Sequence, residues 1–534
     1  MNSNFPVKEE RRHTLLTNHY PACSPTLPHM EKDEVRACLH GLEASKESFS
    51  LMDLSRALSF PGTPEELQAE IWPLLPSTGF FAQVERGRVK FGKRHGQKAI
   101  TPDPELIGAV RGFLHSPVLP SWWESRVRAY IGKKTGKAWD DPGVLDRIRQ
   151  AILAQKAQYW REGGSRRIGY RKGYAVMAYL AYQAPGYFIQ TEHLLLMLME
   201  KGLLCEGMRI LDAGTGPGTV PSALSDFSRR IGGFPADIFS VERSEEFIDA
   251  FRELNSAGKE ESGGIRIHPP LQGDLVTLPP ESFPTTLDLV IFQNVLNEIA
   301  DEQERLAVIH KLAGLLAPGG LVLMVEPADY QNATLLRKSA ISALSGGTLT
   351  LLAPCRYPWG LHCDPGSCWS FEEQPPLLPP PLMNAVAEQG DAYRFLNTDI
   401  KYSWALLRVK GEGEAFARPA EGLYTRLSSL SRVKGRTVDL LVTVMSPDIG
   451  DTANHVFKIC DGTSKKPVFA VLPSYHLTPE NAPLLSRAYG DITVLSEVTV
   501  KFNKAKEAWN ILVTRRSRVT PLPPGYNGSP SLLQ

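Results

Sequence analysis

The chain has 534 residues, seven cysteines and a formal net charge of +1, and 42% of its residues are hydrophobic. That length suits roughly three domains, and the near-neutral charge argues against a chain that coats polyanions along its whole length. No apolar run reaches the ~18 residues that a membrane-spanning helix needs, so no membrane partner is expected.

Residues 1–30 are polar, with Lys8, Glu9, Glu10, Arg11 and Arg12 mixed in sign. They lack both an apolar targeting core and the acid-poor character of a transit peptide. A disordered tail on a cytoplasmic, monomeric protein is expected. Residues 31–98 read as helices followed by Val84-Glu85-Arg86-Gly87-Arg88-Val89-Lys90-Phe91, which alternates as a strand does. Together they predict a small winged-helix-like module. Residues 99–204 are predicted helical, with apolar residues at helical spacing over 106–114 and 144–159. The tyrosine-rich stretch 177–185 is expected to break at Pro185 and to serve the core rather than base stacking.

Residues 205–410 organise the chain. An apolar strand over 208–211 runs into Asp212-Ala213-Gly214-Thr215-Gly216-Pro217-Gly218-Thr219, and a helix follows. Glycines at 214, 216 and 218 permit positive φ and close approach of a ligand to the backbone, and the helix start favours an anionic or polar group there. The spacing is not the G-x-G-x-x-G of a dinucleotide site, and no Gly-Lys-Ser/Thr of a P-loop is present. It resembles the S-adenosylmethionine (SAM) loop of Rossmann-like methyltransferases, in which the carboxylate before the turn helps place the methionine end of SAM.

The following segments fit that order. Residues 236–242 predict a second strand ending in Glu242, placed to accept hydrogen bonds from ribose hydroxyls. A weakly apolar third strand over 265–268 precedes Asp274, at the position of an adenine contact. Residues 287–294 predict a fourth strand that ends in Gln293 and Asn294. A helix is expected from Asn297 to about Leu316, broken by Ala317-Pro318-Gly319-Gly320, and then a fifth strand over 321–327. The fold class expected is α/β: a Rossmann-like SAM methyltransferase core with an N-terminal helical region and a C-terminal small barrel of the oligonucleotide-binding (OB) type. Glu242, Asp274 and Gln293 join Asp212, Gly214, Gly216 and Gly218 as candidate cofactor contacts.

A Cys-rich insertion over 353–372 holds Cys355, Cys363 and Cys368, spaced C-x7-C-x4-C. Clustered cysteines in a cytoplasmic chain favour a metal over a disulfide. Cys460 is the best distant fourth ligand, with His362 and His455 as alternatives. The spacing is not that of a zinc finger, and thiolates on irregular loops suit a [4Fe-4S] cluster; zinc and unliganded cysteines remain alternatives. A proline-rich connector (373–381) precedes a returning strand over 397–409 and a linker over 411–421. Residues 422–519 carry five short β-branched strands, which predict the OB-like barrel. Residues 520–534 are expected to be a second disordered tail. Three basic clusters stand out: Arg86 to Lys98, Arg161 to Lys172, and Lys501 to Arg518. Each alone reads as a solvated face; together they suit a localised phosphate-binding surface.

The ensemble resembles one family, the methyltransferase-like small-ribosomal-subunit assembly factors of mitochondria, bacteria and archaea. The residues that carry the resemblance are Tyr179-Leu180-Ala181-Tyr182 with Pro185, the loop 211–219, Val325-Glu326-Pro327, Pro354-Cys355, Lys401-Tyr402-Ser403-Trp404 and Cys460-Asp461-Gly462, over about residues 170–513. It implies association with the small ribosomal subunit and its rRNA, SAM binding, and a four-cysteine iron–sulfur cluster on Cys355, Cys363, Cys368 and Cys460. The chain departs from the family's Cys-Pro-His at Cys355-Arg356-Tyr357.

Catalysis is less plainly written than binding. Amino-group methylation of a nucleobase commonly uses an Asn/Asp-Pro-Pro-aromatic turn after the fourth strand, whereas this chain has Asn294-Val295-Leu296. Asn294 is the one weak catalytic candidate, and no cysteine near this strand offers a pyrimidine-C5 nucleophile. Two expectations follow: an rRNA methyltransferase, or a non-catalytic assembly factor that keeps the fold as a binding device. A methyltransferase for another RNA or a small molecule is a third.

Overall fold

The computed structural model describes residues 30–522 apart from 47–48, 86–87, 95, 160–172, 257–261, 356–363, 389–391 and 411–421. The N-terminal part is built from α1 (Lys32–Ser45), α2 (Leu51–Ala57), α3 (Pro64–Ile71) and a hairpin of β1 (Phe80–Glu85) with β2 (Arg88–Lys93). Capping boxes at Ser50 and Thr63 start α2 and α3. This module docks on the sheet beside it. Trp72 Nε1 donates to the Phe283 carbonyl at 3.0 Å, and Ala82 N donates to Thr285 Oγ1 at 2.8 Å. The Arg94 guanidinium pairs with Asp288, so one member of the first basic cluster is a structural ion-pair partner.

Five helices lead into the central sheet: α4 (Pro104–His115), α5 (Ser121–Thr135), α6 (Pro142–Tyr159) and the consecutive pair α7 (Ala175–Tyr182) and α8 (Ala184–Glu200), where Pro185 sits in the first turn of α8. The second basic cluster, Arg161 to Lys172, lies outside the described residues.

The sheet then forms from β3 (Met208–Ala213), β4 (Ala236–Glu242), β5 (Ile265–Ile267), β6 (Leu271–Gln272), β7 (Leu287–Gln293), β8 (Leu316–Pro327), β9 (Leu349–Ala353), β10 (Glu372–Gln374) and β11 (Ile400–Val409). Its order is β10-β11-β8-β7-β3-β4-β5, with β6 beside β4 and β9 beside β11. The strands from β8 to β5 run parallel, and β11 returns antiparallel against β8. β3 and β7 are neighbours although the chain leaves them in opposite directions, so the switch point of a doubly wound sheet lies between them. The crossover helices are α9 (Thr219–Arg230), α10 (Glu245–Leu254), α11 (Glu302–Ala313) and α12 (Tyr330–Ser342).

Two local expectations change. The helix read from Asn297 is a 3-10 turn at Leu296–Glu298, and α11 starts only at Glu302 because the Asp301 side chain caps it through Glu304 N at 2.9 Å. The strand expected from 321 already begins at Leu316. Pro318-Gly319-Gly320 is absorbed in an irregularity of the β7–β8 register, with Gly319 at φ +78°, instead of ending the strand.

The C-terminal domain is a closed barrel of β12 (Thr437–Val444), β13 (Asn454–Cys460), β14 (Val468–Pro473), β15 (Ile492–Asn503) and β16 (Ala508–Leu512), with β17 (Arg518–Pro521) added beside β15. Closure runs β12-β13-β14-β16-β15-β12, with the β14–β16 pair parallel. A five-stranded barrel of this order is the OB architecture. It has its own core (Leu440, Phe457, Val500 and Ile511 among others), while Met445 and Tyr489 join the large core of the rest of the chain. Lys501, Lys504, Lys506, Arg515, Arg516 and Arg518 of the third basic cluster are all exposed on the barrel. Among the described residues, no helix is long and apolar enough to cross a membrane.

Candidate functional site

The first candidate site lies at the carboxyl ends of β3, β4, β7 and β8. Gly214, Gly216 and Gly218 have φ of +82°, +56° and +84°. A Cβ at Gly214 would fall 2.3 Å from Val295 Cγ2, and one at Gly218 would fall 2.2 Å from Asn255 Nδ2. The turn therefore needs glycine for both conformation and space. It is pinned to β4 by Gly214 N and Thr215 N, which donate to the Val241 carbonyl at 3.0 and 2.9 Å.

Asp212 is buried under this turn, and its Oδ2 has no hydrogen-bond partner among the described residues; the same holds for Thr219 Oγ1. Burial pushes the Asp212 carboxyl up to about 7, against the pull of the Thr215 hydroxyl. Glu242 ends β4, and its carboxylate is engaged: Oε2 accepts from Gly216 N at 2.9 Å and Oε1 from Ser244 N at 2.8 Å. Asp274 is partly exposed, accepts from Val276 N at 2.8 Å and faces Arg243 at 3.9 Å. The Gln293 amide is held by α8: Nε2 donates to the Tyr187 carbonyl at 3.1 Å and to Gln190 at 2.9 Å, and Oε1 accepts from Thr191 at 3.1 Å. Asn294 sits at φ +57°, with both its side-chain polar atoms buried and without a partner among the described residues.

Sequence reasoning missed four other residues at this edge. Tyr179 of α7 brings its hydroxyl within 3.9 Å of the place a Gly216 Cβ would occupy, and packs edge-on to Phe247. Asn255 donates to the Gly218 carbonyl at 3.2 Å. Burial lifts Glu298 to about 7 and Glu326 to about 8. Arg243 binds Glu298 at 2.8 Å, and Glu326 Oε1 accepts from Asn297 N at 3.2 Å while its Oε2 has no partner among the described residues. Glu326 stood in the sequence within Val325-Glu326-Pro327, a charge at the end of a parallel strand; Asn255 and Glu298 become neighbours of the turn only through the fold.

The second candidate site is a seam between the sheet domain and the barrel. Cys355 after β9, Cys368 and Cys460 at the end of β13 line one cavity of about 60 Å³. Each sulfur accepts from a nitrogen: Cys355 from Arg337 at 3.8 Å, Cys368 from Lys458 Nζ at 3.7 Å, and Cys460 from Gly462 N at 3.3 Å. Burial and the two neighbouring thiols push the Cys460 thiol well up. Arg337 is itself buried and ties the seam together, donating to the Trp404 carbonyl at 2.8 Å, to Ser403 at 3.3 Å and to Tyr489 of the barrel. Cys363 and His362 lie outside the described residues. His455 pairs with Asp448 at 2.6 Å, away from this cavity. Among the described residues, no three His, Cys, Asp or Glu side chains meet at metal-ligand spacing. The three thiols therefore share a cavity without forming a closed coordination shell. The donor is a cation at Cys355 and Cys368 and a backbone amide at Cys460.

Comparison with known proteins agrees with the strand order. Residues 204–349 match the family model described as a methyltransferase domain, and residues 428–522 match a domain of unknown function, the DUF8157 C-terminal domain. No curated protein matches. Solved structures similar to this chain include the glycopeptide N-methyltransferase MtfA complexed with sinefungin (19% identity over 26% of this chain and 54% of that one, TM-score 0.21). The N-methyltransferase NodS from Bradyrhizobium japonicum WM9 with S-adenosyl-L-homocysteine is another (13%, 49% and 99%, TM-score 0.27). A third is a SAM-dependent methyltransferase from Methanosarcina mazei (15%, 40% and 96%, TM-score 0.25). The chain spans about half the length of the first of these. Such partial overlaps carry no functional argument. Sheet order and the family-model match define the class: a Rossmann-like methyltransferase fold, here carrying N-terminal helices and a C-terminal closed five-stranded barrel.

Proposed function

We propose that the protein binds SAM in the crevice over Asp212 and Gly214–Gly218 and acts as a methyltransferase-like factor on the rRNA of the small ribosomal subunit. The observation that carries the SAM reading is a pair of buried acceptors at the switch point, Asp212 Oδ2 and Thr219 Oγ1, that have no partner among the described residues, beside a turn that only glycine can make. An ionised Asp212 would hold the ammonium of the methionine end. Glu242 would face the ribose and Asp274 the adenine, and Glu242 would exchange the Gly216 N–H for ribose hydroxyls. The OB strand order with six exposed basic residues supports an RNA partner. The small ribosomal subunit in particular rests on the family resemblance of the sequence.

Cys355, Cys363, Cys368 and Cys460 would hold a [4Fe-4S] cluster, which supplies a covalent bridge between the two domains and a one-electron centre. Arg337 and Lys458 would then offset thiolate charge. For methyl transfer, the Asn294 carboxamide can accept from a substrate amino group and orient it. A non-catalytic binding role is favoured by one observation: no proline platform follows Asn294, so a flipped base lacks the usual stacking turn.

Co-sedimentation through a sucrose gradient, with iron and sulfide analysis of anaerobically purified protein, tests the proposal. Migration with small-subunit particles and about four irons per chain is the expected result, and Cys460→Ser should remove the iron. Protein at the top of the gradient overturns the ribosomal partner, and one zinc per chain overturns the cluster. Loss of a methyl mark from rRNA in cells lacking the protein would separate catalysis from binding alone.

A further inference from the structure

A second cavity, of about 220 Å³, opens between α5, α9 and the end of α10. Its walls are Trp122, Arg126, Ser222, Ser225, Arg229 and Asn255, over a floor of Leu254 and Ile267. Ser225 is 5% exposed and lines the cavity, yet its hydroxyl has no hydrogen-bond partner among the described residues. A buried hydroxyl without a partner costs free energy that a ligand can recover.

The guanidinium chemistry indicates which ligand. The Asp226 carboxylate is shared among Arg229 at 2.6 Å, Arg230 at 2.7 Å and Trp122 Nε1 at 2.9 Å. The neighbouring Glu192 lies 3.7 Å from Arg230, and burial pushes its carboxyl pKa upward. Asp226 takes one hydrogen bond from each of the two guanidinium groups, and each group has five N–H donors. Arg229 lies against the Trp122 ring, 4.9 Å from its centroid, which holds its planar fork in place at the cavity wall. Arg126 is fixed the same way, 5.0 Å from that ring, with one N–H on the Leu254 carbonyl at 2.8 Å.

We infer that this cavity binds a small phosphomonoester: the phosphate sits among Arg126, Arg229 and Ser225, and a compact apolar or planar group lies over Leu254 and Ile267. Forked guanidinium donors with a buried hydroxyl suit a phosphate's terminal oxygens. The cavity is larger than a bare phosphate fills, and its floor is apolar. Asn255 connects this site to the glycine turn. Its Oδ1 accepts from Ser222 at 3.0 Å, while its Nδ2 donates to the Gly218 carbonyl at 3.2 Å. Occupancy of the cavity is therefore linked to the conformation of Gly218, and this linkage alone rests on the SAM reading above.

Phenyl phosphate, which has both chemical parts, is the probe. Isothermal titration of the full-length protein should show saturable binding, tighter than that of inorganic phosphate. The variant Arg229→Gln/Ser225→Ala should weaken it at least tenfold with an unchanged near-ultraviolet spectrum. Saturating phenyl phosphate should change the affinity for S-adenosylhomocysteine several-fold, within the usual range of coupling, and Asn255→Ala should abolish that change. Absence of phenyl phosphate binding, or equal binding by the double variant, overturns the site. Competition by a 5′-phosphorylated tetranucleotide at lower concentration than phenyl phosphate overturns the small-molecule assignment. Phenyl phosphate binding that depends on Arg229, in a protein that ignores S-adenosylhomocysteine, upholds the site while the SAM reading falls.

Discussion

The glycine crevice and the cysteine seam are built in opposite ways. The crevice takes its defining residues from one run of eight positions, and its shape is a backbone property: three glycines at positive φ, a strand before them and a helix after. The seam takes Cys355 and Cys368 from one domain and Cys460 from another, and its shape is a tertiary property fixed by a buried arginine. A site made of backbone is broken by a single methyl group. A site made of packing is broken at its tie.

The largest effect should come from that tie. Arg337→Met leaves the Trp404 carbonyl and the Ser403, Ser370 and Tyr489 hydroxyls buried without their donor. A loss of about 4 kcal/mol is expected from unsatisfied buried groups, read by chemical denaturation. An effect under about 1 kcal/mol would show that the seam is held elsewhere. Next, Gly214→Ala should cost about 2–3 kcal/mol from strain at positive φ and the clash with Val295, and should abolish S-adenosylhomocysteine binding while leaving iron content unchanged. Parallel loss of iron would mean that the two regions are one unit.

Asp212 gives a pH-dependent test. Its carboxyl titrates near 3.8 in an unfolded chain and near 7 in the fold. Between those values the unfolded state has released a proton that the folded state keeps. This group therefore lowers stability as pH rises from 4 to 7, and the cost persists above 7. Asp212→Asn should then be more stable relative to the parent at pH 8 than at pH 4, read by chemical denaturation at the two pH values. Affinity for S-adenosylmethionine in the parent should rise across pH 7 as the carboxylate forms, and be flat and weaker in the variant. The smallest change is expected at Asp274→Ala: the side chain is partly exposed and bonds its own turn, so a several-fold loss of cofactor affinity without a change in melting temperature is the outcome to look for.

Legibility follows the same division. The strand–glycine–helix unit, the acid at the end of β4 and the barrel strands were readable because pleat and turn chemistry act over a few residues. Leu316–Gly320 misled because a Pro-Gly-Gly stretch reads as a break, and only pairing with Leu287 shows that the strand runs through it. The stretch from Asn297 read as the start of the helix, whereas the cap at Asp301 starts it at Glu302. Asn255, Glu298 and Arg337 carried no local signature at all. Each acquires its role from a neighbour distant in sequence, such as Tyr489 for Arg337 across 152 positions.

The placement of Cys460 has a consequence for synthesis. The ribosome makes the chain from its N-terminus, so residue 460 is added 105 positions after residue 355. At roughly 5–20 residues per second, that is a delay of about 5–20 s. Throughout that interval the nascent chain presents Cys355, joined 13 positions later by Cys368, with no Cys460 opposite, and Arg337 with no Tyr489 to bind. The seam is thus among the last parts of the molecule to close during translation, whatever order its elements follow when the finished chain is refolded from denaturant.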